Sequence, residues 1–461
     1  MTLLALDIGT SRLSALAFSS KTSDPLAVRG VPNDAGIADL PPGRHEQDPG
    51  GILQRSLDLF RELLGDAAVE AADVKAIAVT GQMHGVLLID GENRPLTNLI
   101  TWLDRRVLET GEPGHLNLSR FAMDIASQRR LGCRMHAGYG GALLHWLEKN
   151  GQVPDYATAV SAPGFVAASL SGLVASDPTL AASWGLMDIV EETWDAKTLK
   201  RLGLDEHLLP PIRPSGSPLG PLLPERAQPL GLGDGVEVCV PLGDNQASVL
   251  GAAGFAGDAG VVNVGTGGQV SLPVQGAAFA PGLETRPMPF GGYLLVRASL
   301  RAGGAYQILA RFFRRAAEAF TGSPVGEDET FAALNALAEN APSGAEGLRA
   351  DTRFAGTWTD PDVRAAFSGI GEENFTPANV ARSALEGVAR ELAEAGELSG
   401  LPEMKKIVAA GNAVRMIPPM LSILEEQFGI PCEPAPHAEE AALGAALCAS
   451  VQMEKVAADK G

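Results

Sequence analysis

Thr2-Leu-Leu-Ala-Leu-Asp7-Ile-Gly9-Thr10-Ser11-Arg12-Leu-Ser-Ala-Leu-Ala-Phe18 is an apolar run ending on a carboxylate, a tight Gly-Thr-Ser turn and a second, alternating run. The pattern predicts a β-hairpin with Asp7 at the end of its first strand. A buried strand does not end on an unpaired carboxylate without a partner such as a cation. The arrangement recurs in the second half of the chain as Gly260-Val-Val-Asn263-Val-Gly265-Thr266-Gly267-Gly268-Gln269-Val270-Ser-Leu272. One such hairpin is a weak sign, since Gly-Thr turns are common. Two in corresponding places predict two structurally related lobes, each offering turn amides and a hydroxyl to an anion between them.

Between the hairpins, Pro241-Leu242-Gly243-Asp244-Asn245-Gln246-Ala247-Ser248 joins the apolar run Val236 to Val240 to the small-residue run Ala247 to Gly254. A carboxylate in a Gly-flanked bend between strand and helix is held by the backbone, which suits a general base. The plain alternative is a helix cap, since Asp accepts hydrogen bonds from the first free amides of a helix.

Working outward through the first half, Leu26 to Val31 adds a strand, and Asp48-Pro49 caps and starts a helix with Ile52, Leu53, Leu57, Phe60 and Leu64 inward. Val74 to Thr80 is a strand running into Gly81-Gln82-Met83-His84-Gly85. Loops after the C-terminal ends of strands are where open α/β sheets bind ligands, so Met83 and His84 are candidate site residues; the alternative for His84 is a solvated loop position. Trp102-Leu-Asp104-Arg-Arg106 gathers an aromatic face, a carboxylate and a guanidinium, the groups a polyhydroxylated sugar needs. Taken alone, that cluster also reads as a core Trp beside a surface ion pair.

In the second half, a helix is expected from about Ala302 to Phe320, then an irregular segment from Arg353 to Ile370. Thr376-Pro377 starts a helix with Val380, Ala384, Leu385, Val388 and Leu392 buried. Lys406-Ile-Val-Ala-Ala-Gly411-Asn412 is a strand entering a Gly turn, and Glu439-Glu-Ala-Ala-Leu-Gly444-Ala-Ala-Leu a helix whose small face admits a close neighbour.

Composition narrows the function. A chain of 461 residues, 45% apolar and 20% charged, is expected to form two or three globular units. Its formal charge of -19, from 55 acidic and 36 basic residues, argues against nucleic-acid or anionic-membrane partners. Backbone amides and a bound cation still allow a phosphate ligand. The four cysteines never approach CxxC spacing, and neither a signal peptide nor a membrane-length apolar run is read, so a cytoplasmic location is expected.

Taken together the motifs resemble the FGGY carbohydrate kinases. The resemblance is carried, in order, by Asp7-x-Gly9-Thr10, Glu46-Gln47-Asp48-Pro49, Gly81-Gln82-Met83-His84-Gly85, Trp102-x-Asp104-x-Arg106, Gly243-Asp244-Asn245-x-Ala247-Ser248, Val264-Gly265-Thr266-Gly267 and Ala442-Leu443-Gly444-Ala445-Ala446. It implies an α/β fold of two ribonuclease H-like domains, as in actin, Hsp70 and sugar kinases, around an interdomain active-site cleft. The division expected is 1–242, for sugar and phosphate, and 243–461, for nucleotide, with the base at its start. Gly-Gln-Met-His-Gly and Trp-x-Asp-x-Arg are similar to ketose-directed members, xylulokinases and sedoheptulokinases, rather than glycerol kinases. Gly-Asp-Asn-Gln-Ala-Ser, Ala181-Ala182-Ser183-Trp184-Gly185 and Arg353-Phe-Ala-Gly-Thr with Asp360-Pro361 and Ser368-Gly369-Ile370 lean towards sedoheptulokinase.

On that resemblance, ATP and Mg²⁺ are the implied cofactors and a small ketose the partner, with a homodimer possible. Asp244 is the implied base. Asp7 is implied to hold Mg²⁺. Thr10, Ser11, Arg12, Gly265, Thr266, Gly267, Gly411 and Asn412 are implied to hold the nucleotide, and Met83, His84, Trp102, Asp104, Arg106, Asp244 and Asn245 the sugar. The chain departs from the family pattern twice. Ser14 stands where a basic residue is usual, with Arg12 two positions earlier on the same strand face. Ala409-Ala410-Gly411-Asn412 replaces a Gly-Gly-Gly-Ala type loop.

Overall fold

A computed structural model describes residues 1–117, 124–280, 282–299, 301–357, 360, 362–399 and 404–459. The opening hairpin is present: β1 (Thr2–Ile8) pairs antiparallel with β2 (Arg12–Ser19), which pairs antiparallel with β3 (Asp24–Pro32). On its other side β1 runs parallel to β4 (Val74–Gly81). β5 (Pro218–Pro221), β6 (Glu237–Cys239) and the short β7 (Leu242–Gly243) complete a sheet of order β5-β6-β4-β1-β2-β3, with β7 pairing onto the end of β4. β1 and β4 read as near-continuous apolar runs because helices cover both faces of a parallel centre.

The second sheet repeats this plan. β8 (Ala259–Val264) pairs antiparallel with β9 (Gly268–Val274) and parallel with β12 (Lys406–Ala410). With β10 (Glu284–Pro287), β11 (Tyr293–Ser299) and β13 (Cys432–Pro434) the order is β10-β11-β9-β8-β12-β13. The path β3-β2-β1-β4-β6 in one lobe therefore matches β11-β9-β8-β12-β13 in the other, strand direction included. Two lobes of one design were the expectation from the paired hairpins.

The helices follow the sequence signals. α1 (Pro49–Leu64) starts on Pro49, and Asp48 accepts from the amides of Gly50 and Gly51. Its inward face is Ile52, Ser56, Leu59, Phe60 and Leu63; Leu53, Leu57 and Leu64 are only partly buried, so the buried stripe lies slightly round from the one expected. α2 (Gly140–Lys149), α3 (Ala162–Ser171) and α4 (Pro178–Ser183) follow in the first lobe. α5 (Asp244–Ala253) leaves β7, and α6 (Gly303–Thr321) and α7 (Pro377–Ser399) cover the second sheet. Thr376 Oγ1 accepts from Asn379 N, the expected cap of α7. The segment expected to be irregular, Arg353 to Ile370, contains one short strand, Ala366–Ser368, which pairs antiparallel with Arg349–Asp351 just before it; Pro361 lies outside the described residues.

The last elements are α8 (Asn412–Met416), α9 (Met420–Phe428) and α10 (Glu440–Asp459). α10 packs on α5 and on β1 and β4 of the first sheet, so the C-terminal helix returns to the first lobe. The small-residue face explains the approach. A Cβ on Gly444 would stand 1.8 Å from Ala247 O, and one on Gly251 1.9 Å from Glu440 O.

Candidate active site

The sheets aim their chemistry at one place because the central strands end in register. Asp7 lies beside Thr80 on β4, and Thr80 lies beside Leu242 on β7, so Asp7 and the residue after β7 meet at the same sheet end. That residue is Asp244. It is the first residue of α5, with Gly243 in the cap position, and its carboxylate accepts from its own amide and that of Asn245. Gly243 is fixed from beneath: its amide donates to Thr179 Oγ1 at 2.7 Å, and the Thr179 hydroxyl donates to Asp177. Asp177 and Thr179, from the start of α4, were not singled out from the sequence; an Asp-Pro-Thr helix start gives no hint of a partner so far along the chain.

Asp7, Asp244, Asn245, Ser248, Asn263 and Gln269 line a cavity of about 210 Å³ between the lobes. Burial raises the carboxyl of Asp7 well above its usual range, and negative charge from Asp244, Glu439 and Glu440 adds to it. Burial also pushes Asp244 up to about 6, opposed by the positive charge of Arg286. Asp7 Oδ1 is buried with no hydrogen-bond partner. An orphaned carboxylate oxygen facing a second carboxylate fits a hard, oxygen-seeking cation. Among the described residues no group of three or more His, Cys, Asp or Glu assembles, so a cation here would take one or two carboxylates and fill its shell with water or phosphate oxygens.

The residues expected to hold the nucleotide lie mainly in two turns. In the first, Gln47 Nε2 donates to Thr10 O, Asn33 Nδ2 to Gly9 O, and Trp102 Nε1 to Thr10 Oγ1 at 2.9 Å. The Thr10 hydroxyl donates to Gln82 Oε1 at 3.3 Å, so it is engaged by protein rather than free for an anion. Ser11 and Arg12 are exposed at the turn. The Arg12 guanidinium lies over Gly30, the cross-strand neighbour of Ser14, and reaches Glu439 at 3.5 Å. It thus carries its charge to the position where Ser14 supplies none. In the second turn Gly265, Thr266 and Gly267 close on themselves and accept the first amides of α6: Gly303 N donates to Gly265 O and Gly304 N to Thr266 O. Gly411 has φ 93°, and a Cβ there would sit 2.6 Å from Val264 O, so only glycine brings Asn412 and the start of α8 to this turn. Gly265 to Gly267 and Gly411 thus form one glycine-rich corner of the second lobe, whose backbone amides could meet an anion.

On the sugar side the expected residues divide. Met83 lies against Gly243, and His84 stands in the left-handed region at φ 72°. His84 is fixed by Ser183, whose hydroxyl accepts its amide at 3.1 Å and whose carbonyl accepts from Nδ1 at 2.7 Å. Nδ1 therefore carries the hydrogen and Nε2 is an acceptor. Burial, helped by Arg286, lowers His84 to about 4, so it is neutral. Its ring stacks on Tyr139 at 4.2 Å. The Ala181 to Gly185 stretch is the clamp for this loop, since Trp184 Nε1 also donates to Gly85 O.

Of the residues expected to hold the sugar, Asp244 and Asn245 line the cavity, and Met83, His84, Trp102, Asp104 and Arg106 do not. The Asp104 carboxylate is fully buried and accepts from His45 N and from Arg106 N, Nε and Nη2, and Arg106 also binds Glu46. Arg106 also lies over the Trp146 ring, so the pair ties its loop to His45, Glu46 and the helix that carries Trp146. Sequence pattern alone does not separate a frame from a ligand contact, because both use polar residues at a loop. The residues that do join Met83, His84 and Asn245 come from β10: Arg286 donates to Asn245 Oδ1 at 3.1 Å and to Glu284 Oε2, and Glu284 accepts from Tyr139. In sequence, Glu284-Thr-Arg286 is an ordinary alternating edge strand.

Comparison with known proteins agrees with this geometry. Residues 2–251 match the N-terminal domain, and residues 260–453 the C-terminal domain, of the FGGY family of carbohydrate kinases. The chain is 28% identical to a glycerol kinase of Bordetella pertussis, over 96% of this chain and 87% of that one. It is 27% identical to a sedoheptulokinase of Mus musculus, over 89% of each. The fold superposes on a xylulose kinase from Rhodospirillum rubrum with a TM-score of 0.85 at 23% identity, covering 98% of this chain and 90% of that one. So near an identity to relatives named for different acceptors does not rank the acceptors. With both halves matched in order over most of its length, the chain belongs to the FGGY family of carbohydrate kinases, phosphotransferases with an alcohol group as acceptor.

Proposed function

We propose that the protein transfers the γ-phosphoryl group of ATP to the terminal primary hydroxyl of a ketose, sedoheptulose being the acceptor favoured by its motifs. The observation that carries the reading is Asp244: a carboxylate on the first turn of a helix, facing a cavity it shares with Asp7. Asp244 takes the proton from the attacking hydroxyl as general base. Asp7 holds Mg²⁺, and the turns at Thr10 to Arg12 and Gly265 to Gly267, with Gly411 and Asn412, hold the nucleotide. The bound nucleotide and metal supply the phosphoryl group and the positive charge that stabilises its transfer. Met83, His84, Trp102 and Asn245 orient the sugar, with His84 Nε2 accepting from a hydroxyl and Asp104 and Arg106 bracing the loop that carries Trp102. Closure of the lobes excludes water and so suppresses ATP hydrolysis.

The proposal divides the chain at 242/243, with sugar and phosphate mainly on the first part and nucleotide on the second. It places the enzyme in the cytoplasm, where its cosubstrate is plentiful; no helix among the described residues is long and apolar enough to cross a membrane. Association as a homodimer is part of the same reading and is checked by sedimentation.

A panel of sedoheptulose, D-xylulose, other ketoses, glycerol and further polyols, read by coupled ADP release, tests the assignment. Highest kcat/KM with sedoheptulose supports it. The glycerol kinase and xylulose kinase likenesses make glycerol and D-xylulose the informative competitors, and a preference for either replaces the acceptor while leaving the reaction class intact.

A further inference from the structure

β10 belongs to the sheet of the second lobe, yet its side chains finish a wall built by first-lobe loops. Thr285 N donates to Gly132 O at 2.7 Å, and Glu284 accepts from Tyr139, both across the lobes. Arg286 is buried here, and its five N–H groups can be counted. Nε and Nη2 donate to Glu284 Oε2 at 2.9 and 2.7 Å, and Nη1 to Asn245 Oδ1 at 3.1 Å. Nη1 also points to Met83 Sδ at 4.0 Å, a weak acceptor. One hydrogen on each terminal nitrogen is left without an oxygen among the described residues. A buried guanidinium with unmet donors is costly unless a ligand oxygen meets them.

We propose that Arg286 is a specificity-determining residue of the acceptor pocket: from beside Met83 and Asn245 it donates to one oxygen of the bound sugar, and Glu284 holds its fork in place. The proposal rests on the kinase reading and deepens it. Glu284 in turn accepts from Tyr139, so the carboxylate that grips the fork is itself held from the first lobe.

The plain alternative is a strut that ties β10 to the first lobe and never touches substrate. Steady-state kinetics with the preferred sugar and its monodeoxy analogues, on wild type, Arg286→Met and Arg286→Lys, separates the two. Loss of the oxygen that Arg286 reads is expected to lower wild-type kcat/KM by at least about tenfold. Arg286→Met is expected to lower kcat/KM for the parent sugar by a similar factor, with no further loss for that one analogue and KM for ATP kept within about threefold. Equal proportional losses for the parent and every analogue, or parent kinetics unchanged in Arg286→Met, overturn the proposal. If Arg286→Met does not fold, Arg286→Lys carries the same comparison, since it keeps the charge beside Glu284 but loses the planar fork. Transfer by wild type to no polyhydroxylated acceptor sinks the kinase reading and this one together, whereas transfer with proportional losses sinks only the role of Arg286.

Discussion

Asp244 and Asp7 are two carboxylates held close to the same cavity with little to neutralise them, and that is where residue-scale tests belong. Asp244→Asn keeps the shape and removes the base; it should cut sugar-dependent ADP release by roughly 10² to 10⁴. A variant within about tenfold of wild type would show that another group takes the proton. With Asp244 titrating near 6, kcat/KM should fall as pH drops below about 6, as the base becomes protonated. A cation bound by Asp7 moves that limb lower. The same shift has a stability consequence of definite sign. Asp244 binds its proton more tightly folded than unfolded, so its favourable contribution is present below the ordinary carboxyl range and is lost as pH rises through about 6. Melting curves of ligand-free Asp244→Asn should therefore exceed wild type by a margin that grows between pH 4 and 7; a margin independent of pH contradicts the assignment. For Asp7→Asn the expected change is an apparent Mg²⁺ affinity weaker by at least about tenfold. An unchanged Mg²⁺ titration removes Asp7 from the metal site.

At the scale of elements, the base is only as well placed as the turn beneath it. β7 is two residues long, and its position depends on the Thr80 hydroxyl donating to Leu242 O and on Thr179 accepting from the amide of Gly243. Thr179→Val keeps the volume but strands that buried amide, a cost of about 1 to 3 kcal/mol, while both Asp177 oxygens keep a donor in Leu180 N and Ser215 Oγ. The measurable result is a lowered kcat with KM for ATP unchanged, because the nucleotide turns lie on other strands. The contact between α5 and α10 is the second element that fixes Asp244. Gly444→Ala places a methyl against the Ala247 carbonyl, where neither backbone can withdraw without moving its helix. Destabilisation of about 1 to 3 kcal/mol in urea unfolding is expected; wild-type stability would mean that the helices separate freely.

At the scale of the molecule, α10 is the piece that makes two lobes one enzyme. It follows the second sheet in sequence but packs on β1, β4 and α5, behind both carboxylates. Removing residues 440–461 should expose the apolar face of β1 and β4 and give insoluble or inactive protein, read by soluble yield and near-UV circular dichroism. A soluble, active truncation would show that the first lobe holds Asp7 and Asp244 in place unaided. β10 crosses the other way: this second-lobe strand reaches first-lobe loops, Glu284 accepting from Tyr139 and Thr285 N donating to Gly132 O.

Much of this was readable along the chain because it is written in local periodicity. The paired hairpins, the strands into Gly81 and Gly411, the caps at Asp48 and Thr376 and the small face around Gly444 are each set by neighbours within a few residues, so sequence by itself determined two like lobes, their order and the carboxylates between them. Three things depended on tertiary structure. Whether Asp244 caps a helix turns on where that helix begins, and pairing of β7 with β4 starts it one residue before Asn245. Whether Asp104 and Arg106 face sugar or frame turns on His45 and Glu46, which only the fold places beside them. The use of Glu284 and Arg286 arises because an edge strand of one lobe lands on the loops of the other, a contact between distant segments that leaves no periodicity to read.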